Sequence, residues 1–98
     1  MMIVGISSFE LHLPGSRSLK DKRRVVKSLV DRIHQRYRVS VAETDFHDLH
    51  QRAEISLAAV TNGAGEMENL MEEIRSLVEN QPEAFLTRWD PQILEGAR

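Results

Sequence analysis

Two spacings of apolar residues alternate along this chain, and their order constrains the fold more than any other feature. Residues 3–13 (IVGISSFELHL) alternate at a spacing of two, with Ile3, Phe9, Leu11 and Leu13 on one side and Ser8, Glu10 and His12 on the other. From Leu19 the spacing changes. Val26, Leu29, Val30, Ile33 and Tyr37 fall on one stripe at 100° per residue, while Lys20, Arg24, Lys27, Asp31 and Arg38 project away, which predicts an amphipathic helix of about five turns. Residues 38–45 (RVSVAETD) and 51–61 (QRAEISLAAVT) read as two further strands. Met67, Leu70, Met71, Ile74, Leu77 and Val78 mark a second helix, and residues 84–89 (AFLTRW) a last strand, with a tail from Asp90 to Arg98 expected to fray.

Local signals punctuate these segments. Pro14-Gly15 stops the first strand, and Ser18 followed by Asp21 at the third helical position forms a capping box. Asn62-Gly63-Ala64-Gly65 precedes the second helix, Glu66 and Glu68 suit its first turn, and Pro82 follows its end. The order βαββαβ with right-handed crossovers predicts an α+β, ferredoxin-like sandwich: a four-stranded antiparallel sheet with two helices on one face. A chain of 98 residues accommodates this as a single domain.

In that arrangement Ile3, Phe9 and Leu11, with Ala53, Ile55, Leu57 and Ala59, face the helices. Val4, Ile6, Ala58 and Val60 then lie on the open face, a patch that predicts a homodimer covering it. Both helices are expected to start at the same edge of the sheet. That would bring Arg17 near Asn62 and aim two sets of unsatisfied N–H groups at a shared anion site.

The composition excludes several chemistries. Without cysteine there is no disulfide, thiolate metal site or thiol nucleophile. No run of about 18 apolar residues supports a membrane span, and no basic segment precedes the apolar start as in a signal peptide, so a cytoplasmic protein is expected. No phosphate-binding glycine loop, dinucleotide fingerprint or nucleophile elbow occurs, and no cofactor is expected.

The net charge of -2 conceals a division. Residues 17–38 carry nine Lys or Arg against two Asp, and the rest of the chain carries four against thirteen Asp or Glu. A lopsided molecule of this kind can steer a charged partner. The segment SRSLKDKRRVVK (16–27) singles out Arg17, Lys20, Lys22, Arg23, Arg24 and Lys27 as candidates for binding an anionic partner such as RNA. Periodicity already accounts for Lys20, Arg24 and Lys27 as the wet side of a helix. Lys22 differs, since it projects with Val26 and Leu29 on the buried stripe, in a first turn where positive charge opposes the helix dipole. That position suggests contact with a phosphate near the helix start, or a stem that snorkels outward.

Two lesser clusters carry alternative chemistry. Asp45, His47, Asp48 and His50 have donors suited to a divalent metal, but a polar turn with Leu49 tucked inward explains them better, and no metal is expected. The open sheet face offers no aromatic residue for base stacking, so any RNA should meet the helix and not the sheet.

The run from Met2 to Asn62, with ELHLPGSRSLKDKRRVVKSLVDRI, VSVAETD and DLHQRAEISLAAV in that order, resembles the YlxP-like family of small bacterial proteins, domain-of-unknown-function family 503. The resemblance implies a ferredoxin-like fold, dimers and no established activity. Neighbouring genes in that family imply a setting of ribosomal particles. The expected function is thus a non-catalytic binding protein that engages RNA or ribosomal particles through its basic first helix. The alternatives are a hydrolase of phosphate esters or acyl phosphates at the paired helix starts, by analogy with the Arg and Asn of acylphosphatases, and a structural dimer that docks another protein.

Overall fold

A computed structural model describes residues 1–96. Its elements are β1 (Ile3–His12), α1 (Leu19–Arg36), β2 (Ser40–Asp45), β3 (Arg52–Thr61), α2 (Ala64–Glu79) and β4 (Phe85–Glu95). The strands form one sheet in the order β2-β3-β1-β4, with every neighbouring pair antiparallel. This is the ferredoxin-like βαββαβ arrangement expected from the two alternating periods.

Alternation assigns the two faces correctly. Ile3, Phe9, Leu11, Ala53, Ile55, Leu57 and Ala59 are buried beneath the helices, against Val25, Val26, Leu29 and Ile33 of α1 and Met67, Met71, Ile74 and Val78 of α2. Gly5 lies among them because a Cβ there would collide with the Met67 and Met71 side chains, so its lack of a side chain lets α2 sit close to β1.

Two expectations fail on topology. The register places Ile3 opposite Thr61 and His12 opposite Arg52, so the chain leaves β1 and β3 at opposite ends of the sheet. α1 therefore starts at one end and α2 at the other, roughly 30 Å apart at about 3.3 Å per residue. In the split βαβ unit, β3 runs antiparallel to β1, and two helices that follow antiparallel strands cannot begin side by side. Arg17 and Asn62 do not share a site, and the paired-terminus hydrolase is excluded with it.

The second failure concerns the tail. Residues 90–95 do not fray but continue β4, pairing Ser8 with Asp90, Gly5 with Ile93 and Ile3 with Glu95; the Gly96 N–H donates to the Met2 carbonyl at 2.7 Å. Residues 97–98 of that predicted tail lie outside the described residues. The backbone of β1 needs partners along its length, and DPQILE supplies them despite its polar appearance. Pro91 is tolerated because β4 is an edge strand, and its missing N–H interrupts the row of donors that another strand would use. Trp89 packs on Phe9, ring centroids 5.4 Å apart.

Candidate functional site

The start of α1 is built as its sequence specifies. Ser18 Oγ accepts from the Asp21 N–H at 3.0 Å, and the Asp21 carboxylate accepts from the Arg17 N–H at 3.0 Å. This cap fixes the rotation of the first turns. Lys20, Arg23, Arg24 and Lys27 then recur at spacings of three and four on one exposed face, and Arg17 stands just before the cap at the same end.

These cations are engaged to different degrees. Arg24 donates to both carboxylate oxygens of Glu83, at 2.8 and 3.4 Å, and Lys27 donates to Asp31 one turn along at 2.7 Å. These hydrogen bonds raise the pKa of Arg24 and of Lys27 and hold the Glu83 carboxyl below its ordinary range. Both pairs lie in solvent, where an ion pair contributes little and exchanges readily with another anion. Arg17, Lys20 and Arg23 have no carboxylate within ion-pair distance among the described residues.

The sign of the Glu83 effect sets a pH window. Because the folded carboxyl is depressed, its contribution is present above the unfolded value of about 4.3 and is lost as pH falls through the lower folded value. Melting curves of wild type and Glu83→Gln should differ slightly at pH 6 and converge toward pH 3. A gap that widens in acid would contradict this pairing.

Lys22 is not part of the exposed stripe. Its side chain is 0% exposed, and its ammonium donates to the carbonyls of Phe46 at 2.7 Å, Arg52 at 3.2 Å and His47 at 3.5 Å. The Glu43 carboxylate stands 3.0 Å away and supplies the counter-charge. Lys22 can neither touch a phosphate nor snorkel, because the β2–β3 connection folds over the helix start and encloses it. Its task is to clamp that connection, where Phe46 takes a φ of 62°.

The same connection holds the remaining polar cluster. Arg52 lies 3.8 Å from the centroid of the Phe46 ring, and His47 Nε2 is 3.3 Å from the Glu43 carbonyl. Leu49 is 47% exposed and does not tuck inward; the ammonium of Lys22 is what ties this connection to the helix. Asp45, His47, Asp48 and His50 do not converge: among the described residues no group of three or more His, Asp or Glu is placed to hold a metal ion. The carbonyls that a cation would use face the Lys22 ammonium instead.

The open sheet face divides into two ends. Glu10 and Glu54 are bridged by Arg88, at 3.5 and 3.3 Å, and Glu10 also pairs with Arg52 at 3.0 Å. Next to them a line of hydroxyls joins Ser8 to Ser56 at 2.9 Å and Ser56 to Thr44 at 2.7 Å. At the other end Val4 lies between Val60 and Leu94, with Ile6 and Ala58 in the next row. Val60 is 65% exposed and Leu94 53%.

A further feature escaped the sequence reading. Between the β1–α1 turn and the segment entering β4 lies a cleft of about 320 Å³, bordered by Pro14, Gly15, Asp21, Arg24, Glu83 and Phe85. Phe85 is 61% exposed. The sequence shows Phe85 only as the second residue of AFLTRW; the fold makes it the first residue of β4 and places it beside the start of α1. Arg24 belongs both to this cleft and to the basic stripe.

Comparison with known proteins gives a family of unknown function. A family described as "Protein of unknown function (DUF503)" matches residues 4–90. The chain is similar to "Uncharacterized protein YlxP" of Bacillus subtilis (strain 168), 27% identical over 81 residues that cover 83% of this chain and 88% of that protein. Among solved structures it is similar to a de novo designed protein with a ferredoxin fold, at a TM-score of 0.47 and 12% identity, over 100% of this chain and 89% of the designed one.

Proposed function

We propose, from the premise that this chain belongs to the DUF503 family, that it is a non-catalytic binding protein whose first helix grips the phosphate backbone of RNA. The observation that carries this reading is the exposed row of Arg17, Lys20 and Arg23, which no carboxylate of the described protein neutralises, continued by Arg24 and Lys27. On a chain of net charge -2, such a row is a local attraction rather than a general stickiness. Ribosomal RNA and its particles are the proposed setting.

Electrostatic contacts of this kind release counterions, which makes their number measurable. With three to five phosphates engaged on a single strand, raising salt from 50 to 200 mM should weaken binding on the order of 20- to 100-fold. Cosedimentation with ribosomal particles at both salt concentrations reads this directly. Binding that ignores salt would replace the reading with docking to a protein, and no cosedimentation at low salt would end it.

The reading includes a homodimer. Val4, Ile6, Val60 and Leu94 make one apolar end on a face whose other end satisfies its own charges, so two copies related by a two-fold axis can cover these ends together. Pro91 disfavours the alternative of joining sheets edge to edge at β4. Sedimentation equilibrium should show a dimer for wild type and a monomer for Val60→Asp. A monomeric wild type would remove this part.

A further inference from the structure

We infer that the cleft beside the basic stripe receives one unpaired nucleobase of the bound RNA, with Phe85 as its stacking surface. The inference rests on the RNA-binding reading above and narrows its partner to single strands. Its starting point is a contradiction of charge. Asp21 and Glu83 border the cleft against a single cation, Arg24, so its lining is net negative and a poor extension of the track along which Arg17, Lys20 and Arg23 would hold the backbone.

A neutral, flat group bearing N–H donors has no such conflict. Phe85, Pro14 and Pro82 provide apolar walls, and the volume of about 320 Å³ is at the small end for ligand clefts, suited to one ring system. An exposed phenylalanine ring accepts a base by stacking, as single-strand binders do with their aromatic residues. The acids then become useful: beyond the bonds that Asp21 takes from the Arg17 N–H and Glu83 from Arg24, each carboxylate has lone pairs left to accept from exocyclic amino groups of the kind cytosine and adenine carry. Uracil has no amino group and flanks its one ring N–H with two carbonyl oxygens that a carboxylate repels. The cleft should therefore prefer adenine or cytosine to uracil.

Geometry links the two parts of the site. Arg24 lies on the exposed face of α1 with Lys20, Arg23 and Lys27, and its guanidinium reaches across to Glu83 at the cleft. A strand tracking along α1 would thus pass the cleft mouth where Arg24 stands. Stacking here departs from the expectation that RNA meets the helix without base stacking, which rested on the open sheet face, where the rows of Val4, Ile6 and Ser8 hold no aromatic residue. Phe85 lies beyond those rows, opposite His12 at the end of the sheet that borders the cleft.

The test is fluorescence anisotropy of labelled twelve-nucleotide A, C and U strands and of a blunt RNA duplex, with the full chain. Wild type should bind the A and C strands more tightly than the U strand. Phe85→Ala should weaken the A strand by about 5- to 100-fold, the range for loss of one base–aromatic stack, while leaving the duplex unchanged. Phe85→Trp should restore the A strand, which a merely structural role would not produce. An unchanged A strand affinity in Phe85→Ala, or equal binding of single strand and duplex by wild type, overturns the inference. If the A strand is also indifferent to Arg17→Glu, Lys20→Glu and Arg23→Glu made together, the RNA-binding reading fails too; if only Phe85→Ala is silent, that reading survives and the cleft inference alone is lost.

Discussion

Replacing Lys22 with methionine should destabilise the protein by about 3 kcal/mol, the cost expected when one member of a buried ion pair is removed. The substitution conserves most of the volume, so packing alone predicts a far smaller change. What is lost is three hydrogen bonds, to the carbonyls of Phe46, His47 and Arg52, and the counter-charge of Glu43. Each carbonyl left without a partner in a dry site is costly, and Glu43 must find water by opening the connection between β2 and β3. For a domain of this size the loss corresponds to a fall in Tm of roughly 12–24 °C. A second substitution, Glu43→Leu, should recover part of it, since the uncompensated carboxylate disappears. A Tm for Lys22→Met within about 4 °C of wild type, where 1 kcal/mol moves it at least that far, would show that the ammonium is not the clamp.

The second large effect is on binding. Arg17→Glu, Lys20→Glu and Arg23→Glu together should lower affinity for RNA at 50 mM salt by at least about 100-fold, because three attractions are lost and three repulsions take their place. The salt dependence should change as well, with the slope of log affinity against log salt falling by about two units, close to 0.7 for each single-strand phosphate released. All three side chains are exposed and free of carboxylate partners among the described residues, so folding should be unaffected. A variant that folds, binds as wild type and keeps its slope would show that the positive row of α1 is solvent-facing decoration. Lys22 is left out of this set deliberately, since its substitution would confound binding with unfolding.

The contrast between Lys22 and its neighbours shows where sequence reasoning reaches and where it stops. Angular position marked Lys22 as anomalous and Lys20, Arg24 and Lys27 as ordinary, and both assignments stand. The explanation attached to the anomaly did not, because the group that answers Lys22 lies 21 to 30 residues away, in Glu43, Phe46, His47 and Arg52. Phe85 is the complementary case. Nothing near it in the chain distinguishes it from a core residue; it becomes an exposed wall because β4 begins beside Pro14 and Arg24.

By itself the sequence determined the order of the elements, which side of β1, β3 and the two helices is buried, and where α1 is capped. These follow from repeats of two and 3.6 residues and from hydrogen bonds spanning three or four positions, all of which act between chain neighbours. The tertiary structure decided that the two helices start at opposite ends of the sheet, that β4 continues to Glu95 against β1, that Lys22 is enclosed, and that a cleft opens beside the basic face. Those outcomes depend on the direction in which β3 runs past β1 and on the loop that folds over α1. Contacts between residues far apart in the chain are set by the packing of whole elements, and no local spacing encodes them.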